Sequence, residues 1–509
     1  MKIRSDWQLK EGVSVEDLQQ GLTDDLRLCR QESTAREIRV LDDADWQLWQ
    51  ADRLLLREDG TRLKLYDAND NCLAAATAPE KSRFWWELPA GELAEKIRAS
   101  VPLRAFVAKF QCRISQQPLA VLNPDEKTVV RLRLFGLTRT DGSGLQLLSI
   151  LPLRGYRQEY DRVVALLLPQ LLVKTAPLTL RQLLLQAGME ISALPGKPSF
   201  DLDGREPSEE AVTRMAAKLI QLARHQEQGI IEDIDSEFVH QYRVNIRKAR
   251  SLIALFKKTL SQPRYQALKS ELKALGQITN RLRDLDVFLL DQDHYRGLLP
   301  DGFQTGLDHL YRRLRRRRAA AFKAVREQLS TEAYLEQISN VLLTLNRPAE
   351  FCSAQAQTGI RELVAKKIST QYAAIVRDGS AIDEQTPDSA IHELRIECKK
   401  LRYLLELFAE LFEKSLLKSL VRQLKELQDN LGRFNDFSVQ REFLDRLAGG
   451  RGSSDEERAS INGLAAVLYN QQVAERGQVV ANVNRFIAVP VQESFQQLFH
   501  SEGQEPTEP

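Results

Sequence analysis

The chain has 509 residues, of which 43% are hydrophobic and 28% are charged, and its formal net charge at pH 7 is +2. This length allows at least two domains with cores of their own, and the hydrophobic content is that of a globular protein. Because the net charge is close to zero, global charge identifies no class of partner, and the distribution of charge along the chain has to be used instead.

The cysteines and the apolar segments indicate the compartment. Five cysteines, at positions 29, 72, 112, 352 and 398, form no CxxC pair, which is typical of reduced thiols in a cytoplasmic protein. The first residues, MKIRSDWQLKEG, contain no apolar signal region. The longest largely apolar run, Val163–Val173, has 11 residues and is interrupted by Pro169, so it is too short to cross a bilayer. We therefore expect a cytoplasmic protein that has no membrane partner.

Residues 1–190 are predicted to form an antiparallel α+β domain. They hold all five tryptophans and alternate short β-like runs with turn signals such as Asp141-Gly142-Ser143-Gly144. Three segments have helical patterns, namely Gly91–Arg98, Glu159–Leu172 and Leu178–Ala187. The predicted strands are Glu37–Leu41, Arg53–Arg57, Arg62–Tyr66, Arg83–Leu88, Lys127–Leu137 and Leu145–Leu151.

The order of these segments resembles the CYTH, or triphosphate-tunnel, superfamily. Val40–Asp59 (VLDDADWQLWQADRLLLRED) is similar in outline to the early strands of that family, and Lys127–Leu134 (KTVVRLRL) to a later basic strand. Active members begin with an E-x-E-x-K strand whose glutamates hold a divalent metal, whereas this chain begins KIRSDWQLKEG. The resemblance therefore implies a degenerate tunnel-like domain without that metal site. Four arginines could either line an anion-accepting interior or face solvent: Arg53, Arg57, Arg131 and Arg133.

A change in composition separates this domain from the rest of the chain. Residues 191–208 contain three prolines and two glycines and are predicted to be a linker. Residues 209–500 have helical patterns almost throughout, in two repeats of about 209–345 and 360–500. The last residues, 501–509, are predicted to be a disordered tail.

The helical region contains an internal duplication. Phe238–Phe256 (FVHQYRVNIRKARSLIALF) aligns with Ala390–Phe408 (AIHELRIECKKLRYLLELF) at an offset of 152 residues. The same offset aligns Leu272-Lys273-Ala274-Leu275 with Leu424-Lys425-Glu426-Leu427, without a gap. Two matches at one offset indicate a repeated structural unit.

Each first copy is predicted to be a helix with one basic stripe. Glycine and proline are absent, Asp235 or Ser236 can cap the first helix, and Asp388 or Ser389 can cap the second. Residues at i, i+3, i+7 and i+10 share one side of a helix, and the opposite side of the first copy is apolar. The stripes are His240, Arg243, Arg247 and Arg250 in the first copy and His392, Arg395, Lys399 and Arg402 in the second.

A stripe of like charges has two explanations, a solvated face or a binding surface for a multivalent anion. The first stripe contains no carboxylate, although glutamate is the usual i+4 partner of a surface arginine. From Phe238 to Ala320 there are 18 Lys and Arg against 7 Asp and Glu. Guanidinium groups match phosphate oxygens well, so the pattern favours a phosphate ligand. Metal binding by the two histidines is disfavoured because the neighbouring cations repel a dication.

These paired H-x-x-R-x-x-x-[RK]-[RK]-x-R-x-x-x-x-x-F helices resemble the CHAD domain, the conserved-histidine α-helical domain. The resemblance covers about residues 208–500. It implies two pseudo-symmetric helical bundles around a basic central groove, and it implies binding of inorganic polyphosphate. The fold class we predict is therefore multidomain, with an N-terminal antiparallel α+β domain followed by an all-α CHAD domain.

A second basic run follows the first repeat. Tyr311–Arg318 (YRRLRRRR) contains six arginines in eight residues. Three explanations remain open for it: a nucleic-acid patch, an outer wall for the same anion, or pairing with acidic residues elsewhere in the chain.

Our functional hypothesis is a polyphosphate-binding protein that is not itself catalytic and needs neither a metal nor a cofactor. We expect its partner to be inorganic polyphosphate, with other polyanions as further candidates, and its location to be the cytoplasm, where polyphosphate granules are a candidate place of association. Asp284 and Asp436 are expected to orient nearby arginines. The predicted polyphosphate-binding residues are His240, Arg243, Arg247, Lys248, Arg250, Lys273, Arg281, His392, Arg395, Lys399, Lys400, Arg402, Lys425 and Arg433.

Two alternatives belong to other function classes. One is a triphosphatase or polyphosphate hydrolase that uses the N-terminal domain. The other is a nucleic-acid-binding protein that uses the arginine-rich run. Single-strand binders usually place aromatic side chains among their cations to stack bases, and the basic stripes contain no Phe or Trp.

Overall fold

A computed structural model describes residues 7–10, 12–175, 177–191, 198–383, 385–449 and 454–499. The chain divides into two compact units, Met1–Gly196 and Lys197–Pro509. The predicted tail at 501–509 and residues 192–197 of the predicted linker lie outside the described residues.

The first unit contains one antiparallel sheet, as predicted. In the described part of the chain the sheet has ten strands, and five short helices accompany it. The helices are α1 (Val15–Gln20), α2 (Gln47–Gln50), α3 (Glu92–Ser100), α4 (Arg157–Leu171) and α5 (Leu180–Gln186). The strands are β1 (Trp7–Leu9), β2 (Arg27–Arg30), β3 (Thr34–Asp42), β4 (Leu54–Glu58), β5 (Arg62–Tyr66), β6 (Cys72–Thr77), β7 (Val107–Leu122), β8 (Thr128–Arg139), β9 (Gly144–Pro152) and β10 (Leu172–Lys174).

The strands follow the order β10-β1-β9-β8-β7-β3-β4-β5-β6, and β2 pairs with the end of β7. The central strand β7 has 16 residues and pairs with both β3 and β8, yet the sequence pattern does not predict it. Its middle is only half-buried and carries polar residues on both faces, so the alternation that identifies a strand is weak there. Pairing with the neighbouring strands therefore determines that this segment is a strand more than the pattern of its own residues does.

One predicted strand is wrong. Arg83–Leu88 contains a 3-10 turn at Trp85–Glu87 rather than a strand. The carboxylate of Glu87 accepts hydrogen bonds from the backbone N–H groups of Arg83 and Phe84, at 2.6 and 3.2 Å. This local bonding offers the backbone an alternative to a strand ladder, which β-propensity alone does not detect.

Helices cover both faces of the sheet and make its core. The α5 helix packs on one face against residues such as Leu56 and Leu137, while α3 packs on the opposite face. A third cluster lies between the β8–β9 region and helices α1 and α4, around Leu18 and Leu167. The apolar periodicity of the strands is therefore satisfied by helix packing on both sides.

The four arginines that had two open explanations have separate environments. Arg131 and Arg133 on β8 are exposed. Arg53 donates hydrogen bonds to Lys96 O and Ser100 Oγ, both at 3.2 Å. Arg57 is buried and donates to backbone carbonyl oxygens in the 80–82 segment. Arg53 and Arg57 therefore have structural partners.

The second unit is helical, as predicted. Its helices are α6 (Ser208–Arg224), α7 (Glu227–Ile231), α8 (Ser236–Leu255), α9 (Gln262–Ile278), α10 (Asn280–Leu290), α11 (Gln292–Gly297), α12 (Gln304–Leu329), α13 (Glu332–Leu345), α14 (Ala354–Gln357), α15 (Ile360–Ser380), α16 (Asp388–Leu407), α17 (Lys414–Ala448), α18 (Asp455–Phe486) and α19 (Val489–Phe499).

The duplication is visible in the helices. The α8 and α16 helices each have 20 residues, each is followed by a 3-10 turn, and their apolar sides are buried. Phe256 and Phe408, which occupy equivalent positions, contact each other with ring centroids 5.4 Å apart. Contact between equivalent residues is what a local two-fold axis produces, so an approximate axis passes between these rings.

The two copies also differ. Asp235 caps α8, since its carboxylate accepts from the N–H groups of Glu237 and Phe238. The predicted cap at Asp388 or Ser389 is wrong, because both residues lie inside α16. The carboxylate of Asp388 instead accepts from Gln472 and Arg476 of α18. The equivalent of the continuous α17 helix is divided into α9 and α10 at Thr279.

A buried ion pair joins the ends of several helices in the first repeat. Arg264 and Glu209 lie 2.8 Å apart, and their side chains are 2% and 0% exposed. Glu209 also accepts from the N–H groups of Glu350 and Phe351, while Arg264 donates to three carbonyl oxygens within residues 344–347. Every charge of the pair is thus hydrogen-bonded, which offsets its desolvation.

We predict that Arg264→Ala lowers the free energy of unfolding of the helical unit by about 3 to 5 kcal/mol, because it leaves Glu209 buried without its ionic partner. Arg458→Ala is the matched control, since Arg458 pairs with Asp455 at the surface and such pairs contribute about 0.2 to 1 kcal/mol. Urea unfolding followed by circular dichroism at 222 nm measures both changes. Equal effects of the two substitutions would contradict this account of the pair.

Candidate functional site

The two basic stripes meet near the local two-fold axis. Burial lowers the pKa of Arg395, and the nearby Arg247 of the other repeat lowers it further. Burial also lowers the pKa of Lys399 to about 8, and the next contributions in size come from Arg395 and Arg247. Arg247 and Lys399 line the same cleft, and Arg395 lies one helical turn before Lys399 on α16. Arg247, Arg395 and Lys399 therefore form one cluster of like charges drawn from both repeats.

The N-terminal part of the first stripe is half-buried. Arg243 donates to Gly276 O at 3.3 Å and also contacts Thr279 and Asn280, which lie at the break between α9 and α10. Burial is the main cause of the lowered pKa of His240, and Arg283, Arg247 and Arg243 lower it further, while Glu237 raises it. The histidine therefore lies among positive charges that disfavour its protonation.

In the second stripe, the histidine has a side-chain partner. His392 Nδ1 lies 2.7 Å from Asn435 Oδ1, and since an amide oxygen only accepts, Nδ1 is the donor. This bond does not involve the other ring nitrogen, Nε2. The equivalent of Asn435 in the first repeat is Arg283, so the two histidines have different neighbours although both begin a basic stripe.

The two aspartates that were expected to orient arginines lie at the edge of this cluster. Asp436 is 3.6 Å from Arg395. Burial raises the pKa of Asp436, whereas Arg395 and Lys399 lower it. Burial also raises the pKa of Asp284, whereas Arg243 and other arginines lower it. Each aspartate thus interacts with the arginine of its own repeat.

Several predicted site residues have carboxylate partners within the helices. Arg433 pairs with Glu475 of α18 at 2.7 Å. Lys400 pairs with Glu397 at 2.6 Å, and Arg402 lies 3.5 Å from Glu406. These pairs reduce the charge that the three residues present to a ligand.

The other predicted residues lie around the stripes. Arg250 lies against Gly276, where an added Cβ would come within 3.4 Å of its Nη1. Lys248 is half-buried on α8. Three cations are exposed on the adjacent helices: Lys273, Arg281 and Lys425.

A cleft of about 790 Å³ continues from the stripes toward α15. We call it the lysine cleft, and within the described residues no carboxylate lines it. Four of its lysines are absent from the sequence prediction: Lys257, Lys258, Lys366 and Lys367. They form two Lys-Lys pairs, and the first pair directly follows the α8 motif, which is a signal that could have been used. The remaining cations of the cleft are Arg247, Lys399 and Lys400.

The arginine-rich run on α12 is partly neutralised. Arg313 lies 2.6 Å from the buried Glu457, and Arg318 contacts both Asp233 and Asp286, at 2.5 and 2.9 Å. Arg312 and Arg316 are exposed. Of the three explanations for this run, pairing with acidic residues is confirmed for Arg313 and Arg318.

Comparison with known proteins identifies the family of the helical unit. The family model described as "CHAD domain" matches residues 213–445. The chain contains a CHAD domain. This confirms the resemblance predicted from the paired helix motif.

Two solved structures are similar to part of the chain. The CHAD domain from the plant Ricinus communis is 22% identical, with a TM-score of 0.49, and the match covers 57% of this chain and 96% of that one. PptA from Streptomyces chartreusis is 14% identical, with a TM-score of 0.42, and the match covers 57% of this chain and 100% of that one. No curated protein matches the chain.

Two further properties concern metals and membranes. Among the described residues, no group of three or more His, Cys, Asp or Glu side chains is arranged to hold a metal ion. In the same part of the chain, no helix combines the length and the apolar character that spanning a membrane requires.

Because the charges of the cluster repel one another, removing one of them should stabilise the folded protein. Lys399 loses its proton near pH 8 in the folded protein, against 10.5 for an ordinary lysine, so the folded state disfavours its charge. Lys399→Gln should therefore raise the free energy of unfolding at pH 7 by about 1 kcal/mol, a value reduced for solvent screening of a half-buried group. The wild-type lysine becomes neutral near pH 8 in the folded state and near pH 10.5 in the unfolded state. The gain in the free energy of unfolding should therefore diminish as the pH rises through this range.

Urea unfolding at pH 7 and pH 10 measures this effect, and Lys273→Gln on the exposed face of α9 is the matched control. The control should change stability by less than about 0.5 kcal/mol. A loss of stability in Lys399→Gln at pH 7 would show that Lys399 makes favourable contacts that outweigh the repulsion.

Proposed function

We propose that the protein binds inorganic polyphosphate along the two basic stripes of its CHAD domain. The CHAD domain is generally a binding domain, and its family is associated with polyphosphate binding. The observation that carries the proposal is that Arg247 of the first repeat and Lys399 of the second repeat line one cleft. Cations from both repeats therefore form one surface on which a single anion can lie.

The electrostatics favour a ligand with many negative charges. Arg247, Arg395 and Lys399 repel one another, and the partial burial of Arg395 and Lys399 adds a desolvation cost. A bound polyanion replaces this repulsion with charge-assisted hydrogen bonds, which are stronger than neutral ones. Because adjacent phosphates of a polyphosphate are close together, one chain can contact cations on α8 and α16 at the same time.

The histidines give the proposed site a pH dependence. His392 donates from Nδ1 to Asn435, which leaves Nε2 as the ring nitrogen that can face a phosphate oxygen. The pKa of His240 is lowered by burial and by nearby arginines, and a bound anion opposes the effect of those charges. Binding therefore takes up protons, and affinity should rise as pH falls.

We further propose that residues 191–208 are the linker between a CYTH-like domain at 1–190 and a CHAD domain at 209–500, with repeats at about 209–345 and 360–500. The antiparallel sheet of the first unit supports the CYTH-like assignment. We place the protein in the cytoplasm, in association with polyphosphate granules.

The enzyme alternative makes a different prediction. A triphosphatase in the N-terminal unit would release phosphate from tripolyphosphate in the presence of Mg²⁺ or Mn²⁺, and chelation would abolish the release. The nucleic-acid alternative depends on the other four arginines of the run, since Arg313 and Arg318 are paired with carboxylates. Three of the four are exposed, namely Arg312, Arg315 and Arg316. It requires single-stranded RNA to displace labelled polyphosphate.

The proposal predicts strong effects of charge reversal at the meeting point of the stripes. Arg247→Glu should weaken polyphosphate binding by about 10- to 100-fold, because it replaces a charge-assisted contact worth about 1.5 to 3 kcal/mol with a repulsive one. The dependence of log K on log[salt] should also become less steep, by about 0.7 for each neutralised charge that is lost. Titration with a polyphosphate of defined length at several salt concentrations measures both quantities.

Arg458→Glu is the control, since it makes the same change of charge on the exposed surface of α18. It should alter the affinity by less than about 3-fold, because exposed charges are screened by salt. Equal losses in the two variants would indicate attraction to net charge rather than a site. An unchanged affinity in Arg247→Glu, with helicity retained, would mean that the stripes are a solvated face.

A further inference from the structure

The lysine cleft has an apolar wall as well as cations. Leu363 of α15 and Ile396 and Leu404 of α16 line it, and Ile396 is 38% exposed. A bare phosphate chain gains little from contact with aliphatic side chains, whereas a ring system gains the free energy of burying apolar surface. The composition of the wall therefore indicates a ligand with an uncharged, flat part.

Two polar atoms in the same cleft have unused hydrogen-bonding capacity. Tyr403 Oη and Gln355 Oε1 are buried and have no hydrogen-bond partner among the described residues. The Tyr403 residue is only 4% exposed, so water reaches it poorly. Buried polar groups are nearly always paired in folded proteins, and an amide oxygen needs a donor. A ligand that carries both N–H donors and acceptors on its ring would satisfy both groups.

The cations surround this wall from three segments. Lys257 and Lys258 follow α8, Lys366 and Lys367 belong to α15, and Lys399 and Lys400 belong to α16. Lys367 is fixed in place because its Nζ donates to Leu255 O at 2.7 Å. The volume of about 790 Å³ is within the range of small-molecule pockets, about 300 to 1,000 Å³.

We propose that the lysine cleft binds a nucleoside triphosphate, with the base against Ile396 and Leu404, hydrogen bonds from the base to Tyr403 and Gln355, and the phosphates on the surrounding lysines. The cleft shares Arg247, Lys399 and Lys400 with the proposed polyphosphate path. The inference nevertheless goes beyond that path, because the apolar wall and the amide oxygen of Gln355 have no role in holding a bare phosphate chain.

The test compares ATP with tripolyphosphate, both without divalent metal, by calorimetric titration of the full chain. Tripolyphosphate carries at least as much charge as ATP, so electrostatics alone would make it the tighter ligand. We expect ATP to bind at least 5-fold more tightly than tripolyphosphate. Tyr403→Phe should weaken ATP binding by about 3- to 10-fold, the range of one neutral hydrogen bond, and should leave tripolyphosphate binding within 2-fold.

Three further variants complete the design. Ile396→Ser, at a partly exposed position that tolerates a polar residue, should weaken ATP binding selectively. Lys257→Glu should weaken the binding of both ligands. Tyr469→Phe is the matched control, since Tyr469 is 51% exposed on α18 and does not line the cleft. It should change neither affinity.

The outcomes separate this inference from the proposed function. If long-chain polyphosphate binds but tripolyphosphate and ATP bind equally well, or Tyr403→Phe affects both alike, the nucleotide inference is overturned and polyphosphate binding stands. If ATP binds with the predicted selectivity but long-chain polyphosphate does not bind, the cleft is a nucleotide site and the polyphosphate proposal fails. If none of the three ligands binds, both ideas are wrong.

Discussion

The contact between Phe256 and Phe408 joins equivalent positions of the two repeats of the helical unit. Because the two rings occupy equivalent positions 152 residues apart and their centroids are separated by 5.4 Å, the C-terminal ends of α8 and α16 are held together near one axis. Apolar residues on the buried side of each helix continue this packing, so the basic sides cannot turn away from one another. The hydrophobic contact thereby places cations from both repeats in one region.

This arrangement costs stability, and under the proposed function it leaves cations of both repeats available to an anion. Arg247, Arg395 and Lys399 disfavour one another's charge, as the lowered pKa values of Arg395 and Lys399 show. Elsewhere in the same unit, buried charges have direct partners, such as Arg264 with Glu209 and Arg318 with Asp286. Among the described residues of the cluster only Arg395 has a carboxylate within ion-pair distance, Asp436 at 3.6 Å, and this incomplete neutralisation supports the proposed binding surface.

The sequence predicts the local elements better than their environments. The helical period and the repeated motif predict α8, α16 and the stripes, because the 3.6-residue period involves only residues that are close together in the sequence. The strand β7 and the turn at Trp85–Glu87 are not predicted, since neighbouring strands and the Glu87 carboxylate determine them.

The same limit applies to the candidate site. The motif identifies Arg433 and Lys400 by position, but their partners Glu475 and Glu397 depend on how the helices pack and on rotamers. Lys366 and Lys367 lie outside the repeated motif and reach the cleft only through the packing of α15 against α16. Residues from distant segments can be assigned to one site only once the tertiary structure is known.

A crystal structure of the full chain with a polyphosphate of defined length tests the central claim most directly. The account predicts one phosphate chain that crosses the axis between Phe256 and Phe408 and contacts Arg247 of the first repeat together with Arg395 or Lys399 of the second. Phosphates bound to the cations of one repeat only, or on the arginine-rich face of α12, would contradict it.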